Sequence, residues 1–252
     1  MTAQLGKGKA RFAKRADVIA EEIKHWIVTE TKRPGDRLPQ ESELTEAFAT
    51  SRWTIREALK SLEVQGLIRI ASGPDGGARI AEVSEQNAVQ LLANFFYFRP
   101  LTVKHLYDLR LILEPILAED AVGHLEDRHF QALEDTVRIA RRDARTEDDR
   151  REQRAAELEF HNVLASASPN ILLGFICRFI NNLLNDWVVF NKTYVEPADR
   201  FTCENVEFHE ALIEAFRRGN RESVARIMRE HMRSAARHTH KLKGEISTTF
   251  LS

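Results

Sequence analysis

Every strong strand signal in this 252-residue chain falls in one short segment, and that concentration limits the fold more than any other feature. Two short apolar runs, residues 67–70 and 78–81, flank the glycine-rich residues 72–77, a pattern typical of a β-hairpin. From about residue 87 onward, apolar residues recur at helical spacing instead. The pattern therefore predicts a mainly α protein with one hairpin near the end of its first third.

The residues before the hairpin read as three helices, over 16–30, 41–48 and 51–65. The segment 33–36, Arg-Pro-Gly-Asp, ends the first helix because proline disfavours helix at the residue before it. A tight break precedes Ser51, which suits the N-cap of the third helix. A helix, a helix–turn–helix and a hairpin, in this order, are typical of a winged helix-turn-helix.

The rest of the chain predicts an all-α bundle. Its helical segments are 86–97, 102–123, 127–145, 150–167, 170–192, 203–218 and 221–240. The domain boundaries that we predict are a basic flexible arm over 1–15, a winged helix-turn-helix over 16–82, a linker over 83–89, an all-helical effector-binding and dimerisation domain over 90–240, and a tail over 241–252.

Composition narrows the class of protein. The most apolar stretch, residues 171–190, is interrupted by polar and charged side chains, so no membrane span is expected. The basic N-terminus is not followed by the apolar core of a signal peptide. Cys177 and Cys203 form no CxxC motif, which favours two reduced thiols. We expect a cytoplasmic protein without a membrane partner.

A basic face on the third helix points to DNA. Opposite its apolar arc, this helix carries Arg52, Trp53, Thr54, Arg56 and Lys60. In such motifs the second helix of the helix–turn–helix enters the major groove, where arginine reads guanine edges or grips phosphates. A solvated helix face also carries such charges, so position in the motif is what favours DNA contact.

Three of the nine histidines fall on apolar helix seams. His161 lies beside inward-facing Phe160, and Glu157 lies one turn before it. His209 and His231 occupy seam positions on the last two helices. Buried imidazoles need partners. Two interpretations stay open: separately hydrogen-bonded core histidines, or a divalent metal site for Zn²⁺, Ni²⁺, Mn²⁺ or Fe²⁺.

The N-terminal motifs resemble the DNA-binding domain of the GntR family. The resemblance rests on PGDRLPQESEL at 34–44, TSRWTIREAL at 50–59 and LEVQGLI at 62–68, with departures at Ser42 and Ser72. It implies that Arg52, Thr54 and Arg56 contact the operator. Our predicted DNA-binding set also includes Arg37, Trp53 and Gly76.

The helical half resembles the FCD domain of FadR-type GntR regulators. The resemblance rests on LYDLRLILEP at 106–115, ELEFH at 157–161, SPN at 168–170, and the segments around His209 and His231. It implies that Glu157, His161, His209 and His231 bind a divalent metal, with Zn²⁺ favoured. Glu157 replaces the usual aspartate. Arg110 matches an effector-carboxylate position, although an ion pair with Glu114 is its alternative role. Asn170 is our second predicted effector contact.

These features predict a transcriptional regulator, with repression favoured over activation. It would bind a palindromic operator in double-stranded DNA as a homodimer, under control of a small organic acid (a sugar acid, hydroxy acid or dicarboxylate) at the metal-containing site. One alternative is a metal-dependent enzyme with a DNA-targeting module, although no nucleophile motif such as GxSxG is present. Another is a metal-free bundle that serves only dimerisation.

Overall fold

The computed structural model describes residues 3–71, 73, 76–82, 84–96, 99, 101–190, 199–239 and 245–246. These residues form ten helices and four short strands, which confirms the predicted mainly α fold. The chain divides into two compact units, residues 1–90 and 91–252. The elements are α1 (Ala3–Thr29), α2 (Glu41–Ala47), α3 (Arg52–Val64), β1 (Ile68–Ala71), β2 (Gly77–Ile80), α4 (Glu85–Phe96), β3 (Leu101–Thr102), α5 (Val103–Ala121), α6 (Asp127–Ala140), α7 (Glu147–Ala167), α8 (Ile171–Phe190), α9 (Asp199–Arg217), α10 (Arg221–Thr239) and β4 (Glu245–Ile246).

In the first unit, α3 packs against α1, α2 and β1. The apolar arc of α3 supplies the centre of a small core, where Ile55 and Leu62 are completely buried against Ile19 and Ile23 of α1. Ser51 caps α3 as predicted, since its hydroxyl accepts a hydrogen bond from the amide of Thr54. The core therefore holds α3 by its apolar side and leaves the opposite side exposed.

The first helix differs from the prediction. It begins at Ala3, whereas the apolar pattern predicted a helix over 16–30 after a flexible arm. The physical reason is that residues 3–15 hold alanine, leucine, lysine and arginine, which favour helix, and no proline. An apolar stripe marks where a helix packs, and helical backbone can extend beyond that stripe.

The hairpin has antiparallel register, with Ile68 opposite Ile80. Residues 35–38 run along the other edge of β2, where the amide of Leu38 donates to the carbonyl of Ala78. In this segment the backbones of Arg37 and Arg79 form an antiparallel β-bridge. The predicted wing is thus held to the body of the unit by backbone hydrogen bonds.

The second unit is a bundle built from α5 to α10. Helix α5 packs against α7, α8 and α10, while α7 packs against α6 and α8, and α9 packs against α6 and α10. Residues 218–220 form a tight turn between α9 and α10, which are therefore antiparallel neighbours. Fully buried Leu117, Leu133, Phe160 and Leu212 form the centre of the core.

Three further helix ends depart from the prediction by three residues or more: α6 ends at Ala140, α7 begins at Glu147, and α9 begins at Asp199. The early end of α6 has a local cause, because Thr146 caps α7 by accepting from the amide of Asp149, and the intervening chain forms the turn. In the predicted tail, β4 pairs with β3, and the other residues of 241–252 lie outside the described residues. Among the described helices, none combines the length and apolarity needed to cross a membrane.

Candidate functional site

Three histidines from three helices meet inside the helical unit. His161 on α7, His209 on α9 and His231 on α10 are each at most 2% exposed. Nε2 of His231 lies 3.1 Å from Nε2 of His209 and 3.3 Å from Nε2 of His161. Nitrogen ligands about 2.0–2.1 Å from a tetrahedral zinc ion lie roughly 3.3 Å apart. These two separations therefore fit nitrogens that share one divalent metal ion, and all three ligand atoms lie within 4.8 Å of one another.

Aromatic packing orients the imidazoles. The ring of Phe160 stacks on that of His209, with centroids 3.8 Å apart and planes 5° from parallel. The rings of His161 and His231 stack at 5.3 Å, and the ring of Phe208 lies 5.3 Å from that of His231. Because Phe160 is completely buried in the core, rotation of His209 is restricted. The three nitrogens are thus held in a convergent arrangement.

Burial keeps the three histidines neutral. It lowers the pKa of His209 and of His231 well below the ordinary value, and the positive charge of Arg110 and the charge that a neighbouring histidine would carry if protonated lower each pKa further. Burial also lowers the pKa of His161, although the carboxylate of Glu114 opposes this shift. A neutral imidazole is the form that binds a metal. The neutral state of the three imidazoles therefore suits the predicted metal site.

A buried carboxylate connects the histidines to Arg110. Glu114 Oε2 lies 3.0 Å from Nδ1 of His161, and Oε1 accepts a hydrogen bond of 3.1 Å from Nε of Arg110. Burial alone would raise the pKa of Glu114, but His161 and Arg110 outweigh burial and lower it to about 2. An ionised carboxylate only accepts, so Nδ1 of His161 carries the proton and Nε2 keeps its lone pair. This is the tautomer that a metal needs.

The fourth predicted ligand, Glu157, is not within the group of mutually close ligand atoms formed by the three histidines. It lies one turn before His161 on α7, and its Oε1 is buried without a hydrogen-bond partner. Burial raises the pKa of Glu157 to about 7, although a hydrogen bond with Asn205 and the charges of Arg154 and Arg110 act in the opposite direction. The carboxyl group is therefore near the cluster and has an unused acceptor.

Further polar atoms without partners lie about one helical turn from the histidine layer. They are Nη2 of Arg110, Oδ1 of Asn205 and Oγ of Ser234, in residues at most 3% exposed. Asn205 precedes His209 by four residues, and Ser234 follows His231 by three on the antiparallel helix, so the two residues extend in the same direction from the histidines. A buried polar atom without a partner costs about 1–3 kcal/mol. This layer is therefore suited to a polar ligand.

On the first unit, three predicted DNA-contacting side chains share the exposed face of α3. Arg52 and Arg56 are exposed, and Trp53 is 53% exposed. Nε of Arg56 pairs with the carboxylate of Glu41, 2.9 Å away, at the surface. An exposed ion pair is weak in water, so Arg56 can exchange its partner for a phosphate or base at little cost.

Thr54 requires a correction. The sequence placed it on the exposed arc, but it is completely buried. Its hydroxyl lies 2.8 Å from that of Ser51, inside the N-terminal turn of α3. The reason is that a residue at this position of the first turn points back toward the N-cap. We therefore remove Thr54 from the predicted operator contacts.

The remaining predicted DNA contacts lie at the hairpin. Arg37 is exposed beside β2. Gly76 is half-buried, and its amide donates to the carbonyl of Gly73. A Cβ at Gly76 would lie 2.6 Å from the carbonyl oxygen of Ala71, so the tight wing turn needs glycine at this position. Ser72 lies outside the described residues.

Asn170 also requires a correction. It is exposed, and its Oδ1 accepts a hydrogen bond from the amide of Leu173, so the side chain caps α8. It is not part of the buried histidine layer. Two surface clefts, of about 620 and 340 Å³, are lined by neither the histidines nor Arg110. The candidate site is nevertheless buried, because the three histidines and Arg110 are each at most 3% exposed.

Comparison with known proteins gives a matching family model for each half of the chain. The family model described as the FCD domain matches residues 105–234, which is more than half of the chain. The model described as bacterial regulatory proteins of the gntR family matches residues 15–75. The chain belongs to the GntR family. Within it, the FCD domain makes this GntR regulator a FadR-type member.

Individual relatives agree with this assignment. The GntR chain is 27% identical to the HTH-type transcriptional repressor NanR of Enterobacter sp. (strain 638), over 88% of this chain and 84% of that protein. It is 28% identical to the NanR repressor of Edwardsiella tarda (strain FL6-60), over 93% and 89%. A solved structure, Streptococcus agalactiae GntR, matches with TM-score 0.62 and 28% identity over 88% of this chain and 99% of that one. These proteins are regulators, so the enzyme alternative is not retained.

Sequence reasoning missed three residues of this GntR protein's interior site. The sequence predicts Glu114 only as an ion-pair partner of Arg110, whereas it also contacts His161. The sequence pattern assigns no role to Asn205 or Ser234. The sequence pattern that could have indicated Asn205 and Ser234 is their distance of three or four residues from a histidine on a buried seam. A polar residue at that spacing lies on the same buried helix face and needs a partner.

Proposed function

We propose that this GntR regulator is a sequence-specific repressor that binds a palindromic operator in double-stranded DNA as a homodimer. The exposed face with Arg52, Trp53 and Arg56 would read the major groove, while Arg37 and the Gly76 turn approach the backbone. Relatives that match over almost their whole length carry the name of transcriptional repressors. A bacterial repressor works in the cytoplasm, where Cys177 and Cys203 remain free thiols.

We further propose that the helical unit, over about residues 90–240, holds a divalent metal ion. Nε2 of His161, His209 and His231 would be three of its ligands, and Glu157 would supply a fourth through its unpartnered oxygen. Three neutral imidazoles and a carboxylate favour Zn²⁺, and Ni²⁺, Mn²⁺ or Fe²⁺ are compatible. When bound, the metal would act as a Lewis acid toward an oxygen atom of the effector.

The effector we propose is a small organic acid: a sugar acid, a hydroxy acid or a dicarboxylate. Nη2 of Arg110 is a buried donor without a partner, so it can receive a carboxylate while Nε still holds Glu114. Oδ1 of Asn205 and Oγ of Ser234 can bind hydroxyl groups of the ligand. The unpartnered Nη2 of Arg110, on a guanidinium that Glu114 connects to the three convergent histidines, is the observation that carries this proposal.

Control of DNA binding would follow from the burial of the site. A ligand enters the polar layer only if helices α5, α7, α9 or α10 separate slightly, so it binds one conformer of the bundle better than the other. In a dimer, such a shift changes the spacing of the two reading heads relative to the half-sites of the operator. Binding of the effector would thereby release the operator.

The test combines metal analysis with DNA binding. The purified protein, reconstituted with Zn²⁺, is titrated onto labelled DNA from its own upstream region by fluorescence anisotropy, with and without a panel of organic acids. Wild type should bind one equivalent of metal and lose DNA affinity with one class of acid. The variant with His209→Ala and His231→Ala should keep its DNA affinity without acid but lose metal and acid response.

The matched control is His124→Ala, which removes an exposed histidine of the same unit. It should behave as wild type in all three measurements. No metal bound after supplementation, in a folded protein, would instead support a bundle that serves only dimerisation. No binding to any upstream fragment at low salt would contradict the regulator function itself.

A further inference from the structure

Helix α7 carries four polar residues in one stripe that leads away from the histidine cluster. Arg150, Arg154, Glu157 and His161 follow one another at spacings of four, three and four residues, which places them on one side of the helix. At 1.5 Å per residue, Arg154 lies about 10 Å and Arg150 about 16 Å from His161 along the helix axis. The stripe therefore connects the histidine cluster with the beginning of α7.

Burial decreases along this stripe. His161 is buried, whereas Glu157, Arg154 and Arg150 are half-buried. Nε of Arg150 is shielded from water and has no hydrogen-bond partner. A guanidinium group that is partly withdrawn from water attracts an anion more strongly than a fully exposed one does, because the dielectric constant around it is lower. The two arginines are therefore suited to hold an anion at the outer end of the site.

The neighbouring charges on α7 serve surface ion pairs instead. Arg151 pairs with Glu147 at 2.6 Å, and Glu152 pairs with Arg142 at 3.2 Å. Arg151 and Glu152 lie outside the polar stripe, because successive residues of a helix are turned away from one another. The two arginines of the stripe are thus distinct from the ion-paired surface of the same helix, and Arg151 offers a matched comparison.

Two guanidinium groups from different helices approach the polar layer. The charges of Arg154 and of Arg110 both act on the carboxyl group of Glu157, where they oppose the larger effect of burial on its pKa. Arg110 is on α5, which packs against α7, and it precedes Glu114, the partner of His161, by one turn. Arg154 lies one turn beyond Glu157, on the side away from His161. An anion at Arg154 would therefore be separate from an anion at Nη2 of Arg110.

The proposed metal site would strengthen the attraction of Arg154 for a further anion. A carboxylate of Glu157 that ligates a divalent ion shares its negative charge with that ion. The attraction between Glu157 and Arg154 then decreases, and the positive potential at Arg154 increases. An acid that enters the site can supply the opposite charge.

We propose that Arg154 is a second anion-binding residue of the effector site and that the effector is a dicarboxylate. One carboxylate binds Nη2 of Arg110, and the other binds the guanidinium of Arg154, while Arg150 adds positive charge one turn further out. The inference rests on the proposed effector site and narrows its ligand from organic acids in general to acids with two anionic ends.

Matched pairs of acids test the second anionic group. Galactarate and galactonate share one hydroxylated six-carbon chain, and malate and 3-hydroxybutyrate share a four-carbon chain, but only the first member of each pair has two carboxylates. The full chain, reconstituted with Zn²⁺, is titrated with each acid by isothermal calorimetry. In at least one pair, the diacid should bind about 10- to 100-fold more tightly than the monoacid, as expected for charge-assisted hydrogen bonds. Equal affinities within every pair that binds would overturn the inference.

Variants of α7 test the residue. Arg154→Met should lower the affinity for the preferred diacid by about 10- to 100-fold and leave the affinity for its monoacid unchanged. Arg154→Lys keeps the positive charge and should keep most of the preference. Arg150→Met should cause a smaller loss for the diacid alone, and it provides a second test if Arg154→Met does not fold.

The matched control is Arg151→Met, which removes a surface-paired arginine of the same helix and should leave both affinities unchanged. Circular dichroism and zinc content should be the same in all variants, since none of these arginines is a proposed metal ligand. An Arg154→Met variant that weakens the diacid and the monoacid equally, or weakens neither, would contradict a second anion position at this residue.

The outcomes separate this inference from the proposed function. A wild-type protein that binds a monoacid as tightly as its diacid, and loses DNA affinity with both, would overturn the role of Arg154 but keep the response to organic acids. A zinc-loaded wild type that binds none of the acids would overturn both. Operator binding without acid, measured on the same samples, remains an independent result.

Discussion

Separating the buried pair of Arg110 and Glu114 should destabilise the helical unit severely. The two side chains are 4% and 1% exposed and are joined by a 3.1 Å hydrogen bond. Arg110→Met leaves a carboxylate in the interior with His161 alone as its partner, and Glu114→Gln leaves a guanidinium without its counter-charge. Breaking a buried ion pair from one side costs about 3–5 kcal/mol. That is a large part of the roughly 5–15 kcal/mol that stabilises a typical domain.

Removing both charges should cost less than removing one. The double variant Arg110→Met with Glu114→Met leaves no isolated charge, so the main remaining penalty is the proton on Nδ1 of His161, which has lost its acceptor. An unsatisfied buried donor costs about 1–3 kcal/mol. We therefore expect the double variant to be more stable than either single variant, by about 2 kcal/mol.

The assay is urea unfolding of the metal-free full chain, followed by circular dichroism at the helical band. A chelator is needed because a bound metal would add its own stabilisation to every variant. The matched control is Arg141→Met, which breaks an exposed pair with Glu210 at 2.6 Å and should cost only about 0.2–1 kcal/mol. Equal costs for Arg110→Met and Arg141→Met would refute the argument that the interior pair is desolvated.

Three smaller changes test single features of the first unit. Ala49 has a positive φ of 43°, which costs an L-residue about 1–2 kcal/mol. Ala49→Gly should therefore raise the urea midpoint of unfolding slightly. A lowered midpoint would count against strain in this turn. Gly76→Ala should weaken operator binding in anisotropy titrations, because the new Cβ meets the carbonyl of Ala71; unchanged affinity would mean that the wing is not a contact. Thr54→Val should lower the free energy of unfolding by about 1 kcal/mol, because it removes the hydrogen bond to Ser51, but the folded variant should keep its operator affinity. A selective loss of operator affinity would restore Thr54 as a DNA contact.

Local patterns sufficed for most of the architecture. The winged order of the first unit and the bundle of the second follow from apolar spacing, from Pro34 and Gly66 as breaks, and from Ser51 as a cap. These signals act over a few residues, so a sequence displays them directly. The same spacing placed His161, His209 and His231 on buried faces, which is why their meeting could be predicted.

Only the tertiary structure decided which residues that are distant in sequence contact each other. Glu114 reaches His161 across 47 positions, and Arg141 reaches Glu210 across 69. Helical periodicity states which face of a helix is buried but not which neighbour it meets. It also assigned Thr54 to the outer arc, because a wheel ignores how a first-turn side chain leans toward the cap. The sequence determined the helices and their inward faces, and packing determined which polar groups share the interior.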